Sequence, residues 1–97
     1  MKLDIGGHNY TVICKNLTHE DSSKELYGRH LVKHSQILIN NQIDDSRQKE
    51  TLIHEILHAI LVNAGHDHDE GLIDAISNGF HQLGVGEYLW KKAQKKS

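Results

Sequence analysis

Thr51-Leu52-Ile53-His54-Glu55-Ile56-Leu57-His58-Ala59-Ile60-Leu61 sets an apolar residue at every third or fourth position and interrupts the series with two histidines and a glutamate. Leu52, Ile53, Ile56, Leu57, Ile60 and Leu61 fall at the spacing of one buried helical face, which predicts a helix over about Ser46 to Ala64. His54 and His58 are four apart, so on that helix their side chains leave the same face one turn from each other. Two imidazoles so placed can reach one metal ion, for zinc at ~2.0–2.1 Å each. Leaving two imidazoles and a carboxylate unpartnered in so apolar a segment would cost several kcal/mol, which favours ligands over core histidines held by hydrogen bonds.

The chemistry follows from the residue types. A hydrolytic zinc site uses three protein ligands and keeps one position open for water. Zinc lowers the pKa of that water and polarises a carbonyl. Glu55, directly after the first histidine, is the candidate general base, taking a proton from the water and passing it to the leaving amine. Such catalysis is typically worth ~10²–10⁴ in rate. The third ligand is sought on a second helix, marked by Leu72, Ile73, Ile76, Phe80 and Leu83 and ending near Gly84 or Gly86. Glu70, Asp74, Asn78 and His81 are spaced four, four and three, so they share a face of that helix, and a carboxylate there would complete the set.

The rest of the chain supplies the scaffold. Lys2 to Ile5 and Asn9 to Cys14 have strand character and are split by Gly6-Gly7, a good two-residue hairpin turn. Asn16 to Lys24 is polar and turn-like. A second β-like pair runs over roughly Glu25 to Lys33 and Ser35 to Asn40, although Leu38 spoils the alternation of Ile37 and Ile39. Asp44-Asp45-Ser46 offers helix caps, Gly65 a helix end, and Glu87 to Lys95 a short third helix. The fold class expected is α+β: a small N-terminal antiparallel sheet followed by a helical half, in a single domain spanning 1–97.

Composition narrows the function classes. The net charge of −2 makes no electrostatic case for nucleic acid or an anionic membrane, and the basic run Lys91 to Lys96 reads as a solvated helix end. With Cys14 the only cysteine, no intramolecular disulfide can form, and a reducing, cytoplasmic setting is the simpler expectation. No apolar stretch approaches the ~18–20 residues of a membrane span. Nine histidines in 97 residues raise the rate of chance motifs as well as the interest of a metal site. His66-Asp67-His68-Asp69 reads as a polar loop and helix cap. His8, His19, His30 and His34 read as surface residues, Tyr10, Tyr27 and Tyr88 as core-edge residues, and Cys14 as a packed thiol. Leu89 and Trp90 are expected to dock the last helix.

The motif His54 to His58, followed by a carboxylate on the next helix, resembles the gluzincin metallopeptidases. Gly71-Leu72-Ile73-Asp74-Ala75-Ile76-Ser77-Asn78 is similar to the thermolysin-type third-ligand segment, with aspartate where glutamate is usual. That resemblance implies Asp74 as the third zinc ligand and Asn78 as the residue orienting a ligand histidine; Glu70, one turn earlier, is the main rival for the ligand position, and His66, His68 or another residue stays open behind it. In size and layout, through Tyr27-Gly28, Ile37-Leu38-Ile39-Asn40 and Thr51 to Glu55, the chain resembles small phage and bacterial ImmA/IrrE-like metallopeptidases over about residues 25–83. It implies one zinc per chain and a protein or peptide substrate, such as a regulatory repressor, with the oligomeric state left open. The competing reading is a catalytically silent zinc-binding interaction module. The intact Glu55 speaks against it, since a purely structural site needs no base.

Overall fold

Two consecutive glycines at positive φ, Gly6 at 57° and Gly7 at 81°, make the tight turn that joins β1 (Lys2–Ile5) to β2 (His8–Lys15). Only such a turn matches the twist of a two-residue hairpin, and the register closes on it with Ile5 opposite His8. The computed structural model describes residues 1–17, 27–67 and 69–95. The polar stretch expected over Asn16 to Lys24, the start of the second strand pair at Glu25, and His19 and His68 therefore lie largely or wholly outside the described residues. β3 (Gly28–Leu31) and β4 (Gln36–Asn40) form the second pair, antiparallel, linked by a 3₁₀ turn at Val32–His34.

The sheet order is β1-β2-β4-β3, and here the expectation of an antiparallel sheet is corrected: β2 and β4 run parallel, with Val12 opposite Ile37 and Cys14 opposite Ile39. The chain leaves β2, passes to the far edge to make β3, and returns as β4 beside β2 in the same direction. Leu38 carried the signal. Central parallel strands are covered on both faces, and Ile37, Leu38, Ile39 and Asn40 are all buried. The Asn40 carboxamide accepts from the backbone N–H groups of Leu17 and Gln42, and so ties down the chain on either side of the strand.

α1 (Asp45–Asn63) starts where Asp44 caps it by accepting from Arg47 N at 2.8 Å, and it ends before Gly65 at φ 75°. It packs on the sheet through Leu52, Ile56 and Ala59, which meet Leu3, Ile5, Tyr10, Val12, Ile37 and Ile39 in one core. α3 (Val85–Lys95) closes this core with Ala93, and Leu89 and Trp90 pack against it as expected. Cys14 is also packed there, its thiol pKa raised by burial.

α2 (Glu70–Gln82) departs from its apolar pattern. Ile73 and Ser77 are its buried residues, whereas Leu72, Phe80 and Leu83 are exposed, and on α1 Ile60 is exposed as well. The stripe Glu70, Ile73, Asp74 and Ser77, at the i, i+3, i+4, i+7 spacing of one helical face, is turned toward α1. Ile73 and Ser77 are buried in the seam, and Glu70 and Asp74 flank them at its exposed edge. Among the described residues, no helix is long and apolar enough to cross a membrane.

Candidate metal centre

Asp69 caps α2 by accepting from Leu72 N at 3.1 Å, and this makes Glu70 the first residue of the helix, facing the middle of α1. There it meets both histidines. Glu70 Oε1 lies 2.9 Å from His58 Nε2, Glu70 Oε2 lies 3.4 Å from His54 Nε2, and the two Nε2 atoms are 3.1 Å apart. The rings meet edge to face with centroids 4.8 Å apart.

Three ligands held tetrahedrally at ~2.0–2.1 Å are separated from each other by roughly 3.4 Å; the two Nε2 atoms stand close to that spacing at 3.1 Å, and the Glu70 carboxylate meets one ring with each of its oxygens. Two imidazoles and a carboxylate also suit zinc chemically. His54, His58 and Glu70 thus form a group able to hold one metal ion, its donor atoms all within 4.8 Å of one another. His58 is buried, His54 is partly exposed, and Glu70 is 64% exposed in its side chain.

Asp74 stands elsewhere. Its Oδ1 lies 3.0 Å from His54 Nδ1, the ring nitrogen that points away from that group. A carboxylate on Nδ1 keeps the proton on that nitrogen and leaves Nε2 free to coordinate, as the partners behind metal-bound histidines do. The reading that put Asp74 first and Glu70 second thus meets a geometry in which Glu70 touches both Nε2 atoms and Asp74 supports one ring from behind. Asn78, expected to orient a histidine, instead accepts from Gln82 Nε2 at 3.1 Å on the exposed side of the helix. The shift by one turn depends on where α2 begins and how far it slides along α1.

Glu55 is buried, 7% exposed, beside this group. Desolvation, and secondarily the Glu70 carboxylate, raises its pKa from 4.5 to about 7. Its burial relies on a close approach of strand and helix. A side chain at Gly28 would bring its Cβ within 2.6 Å of Thr51 Cγ2, 2.8 Å of the Leu38 carbonyl oxygen and 3.5 Å of Glu55 Cγ. In the sequence Gly28 stands out only through a family resemblance, because the atoms that require a glycine there come from residues distant along the chain.

A cleft of about 480 Å³ opens beside the group, over His54, Glu55 and Asp74, while His58 and Glu70 lie outside its lining. Tyr27 and Gly28 form one wall, the α1 residues Arg47, Glu50, Thr51, His54 and Glu55 the floor, and Asp74 and Ser77 the opposite wall. Of the three tyrosines, Tyr27 is thus a cleft residue, while the Tyr10 hydroxyl accepts from Asn63 in the core edge and Tyr88 is exposed on α3. His81 lies away from the cleft, its Nε2 2.9 Å from Ser46 Oγ and its buried Nδ1 without a hydrogen-bond partner among the described residues. His8, His34 and His66 are exposed.

Against known proteins, the family model described as the IrrE N-terminal-like domain, a peptidase family, matches residues 6–85. No curated protein and no solved structure matches the chain.

Proposed function

This chain belongs to the IrrE N-terminal-like domain family, and from that premise we propose that it is a zinc-dependent metallopeptidase whose metal is held by His54, His58 and Glu70. The observation that carries the reading is the approach of two Nε2 atoms and a carboxylate to one another, with a buried Glu55 of raised pKa next to them at the floor of a cleft. A bound zinc ion supplies Lewis acidity toward a peptide carbonyl and makes a water more acidic. Asp74 holds the His54 ring in the tautomer that presents Nε2. Glu55, with a pKa near the working pH, accepts a proton from the attacking water at its carboxylate and returns it to the leaving amine nitrogen. Gly28 keeps β3 close enough to shield that carboxylate from solvent. The substrate class is a peptide bond in a protein, and the cleft admits an extended segment of chain.

The test starts with metal content by elemental mass spectrometry, then follows cleavage of a peptide library by mass spectrometry. One zinc per chain and new termini in the library are expected for the wild type. Glu55→Gln keeps the zinc and loses cleavage by at least ~10²-fold. A zinc-loaded wild type that cuts nothing, and binds peptides as well as Glu55→Gln does, would replace this reading with a silent binding module.

A further inference from the structure

Glu50 lies one turn before His54 on the same row of α1 that carries His54 and His58, at positions 50, 54 and 58. It is half-buried and lines the floor of the cleft, yet it forms no hydrogen bond or ion pair among the described residues. The two cations nearest to it in sequence are both committed elsewhere. Arg47 Nη1 is 3.0 Å from the capping Asp44, and Lys49 bridges Asp45 and Glu87 on the far side of the helix. Across the cleft Asp74 is engaged with His54, and Ser77 donates to the backbone carbonyls of Ile73 and Asp74. This end of the cleft therefore presents a half-buried carboxylate that no ion pair among the described residues engages, with Arg47 beside it turned to Asp44. A cation delivered there gains a charge-assisted hydrogen bond that nothing in the fold already supplies.

We propose that Glu50 is a specificity residue that receives a lysine or arginine side chain of the substrate close to the scissile bond. The proposal rests on the peptidase reading above and narrows its substrate class. One helical turn, ~5.4 Å, separates Glu50 from His54 along α1. An extended peptide advances about 3.3 Å per residue, so the basic side chain belongs to one of the two residues nearest the scissile bond on the Glu50 side. Arg47, on the same floor but tied to Asp44, leaves room for that cation.

The experiment has two arms on the same zinc-loaded protein. In the first, peptides carrying lysine, norleucine or glutamate at each position around one cleavage site are compared by kcat/KM. Lysine is expected to exceed norleucine by about tenfold at one position, and glutamate to fall below both. Glu50→Gln should erase that preference, and Glu50→Lys should turn it toward glutamate. In the second arm, the non-cleaving Glu55→Gln protein is titrated with the lysine and norleucine peptides by fluorescence anisotropy, and the same tenfold gap is expected and should close on adding Glu50→Gln. Equal handling of lysine and norleucine at every position, or a preference that survives Glu50→Gln, overturns the proposal. Absence of cleavage with the anisotropy gap intact would instead count against the peptidase reading and leave Glu50 as a cation receptor.

Discussion

Glu55 and the two acidic residues of α2 divide three roles that one residue type could fill. The metal-free protein reports the first. Because the folded pKa of Glu55 is about 7, above its ordinary 4.5, the fold favours the protonated carboxyl. Its contribution is therefore fully present below about pH 4.5 and is lost as the pH rises through about 7, a change on the order of 3 kcal/mol. Urea unfolding of metal-free protein at pH 5 and pH 8 should show wild type losing more stability than Glu55→Gln over that interval. Parallel curves would mean the carboxylate is better solvated than its burial implies. Glu70 and Asp74 separate by zinc affinity in a chelator competition: Asp74→Ala should weaken binding about 10–100-fold, and Glu70→Ala by more. The reverse order would return the ligand position to Asp74. At this scale the sequence was legible where residues lie four apart on one helix, as His54 and His58 do. It was not legible across helices, because the choice between Glu70 and Asp74 depends on the offset of α2 against α1.

Elements were read well where a local rule sets them. The Gly6-Gly7 hairpin, the Asp44 cap, the end of α1 at Gly65 and the third helix follow from turn, cap and periodicity chemistry acting over a few residues. The parallel β2–β4 pairing and the outward turn of Leu72, Phe80 and Leu83 follow from distant partners, which periodicity does not see. Gly28 joins the two kinds. Gly28→Ala forces a Cβ to 2.6 Å from Thr51 Cγ2 and 2.8 Å from the Leu38 carbonyl oxygen, so β3 must lift from α1. The expected loss is about 1–3 kcal/mol in urea unfolding, with a drop in peptidase activity larger than any drop in zinc affinity, because the displaced seam covers Glu55 and not the ligands. Equal activity in the alanine variant would show that the seam is soft.

For the whole molecule, the small core and the metal centre share the work of stability. A chain of 97 residues holds together by only roughly 5–15 kcal/mol, and the proposed ligands lie on both α1 and α2, so an ion there would cross-link the two helices. Free zinc at a hundred times its dissociation constant should add about 2.7 kcal/mol, raising Tm by on the order of 10 °C for a domain this size. A calorimetric scan with and without a chelator measures it, and an unchanged Tm would mean zinc does not bind the native state. The uneven burial of the centre also bears on how long an ion stays. His58 is buried while Glu70 stands well exposed on the first residue of a helix, where fraying begins. Were these three side chains to hold an ion, the exposed carboxylate would be the one to let go first and the two histidines the last. Exchange should then be chelator-assisted, with a rate that climbs with chelator concentration, and a single exposed side chain would act as the latch on the residence time of the metal.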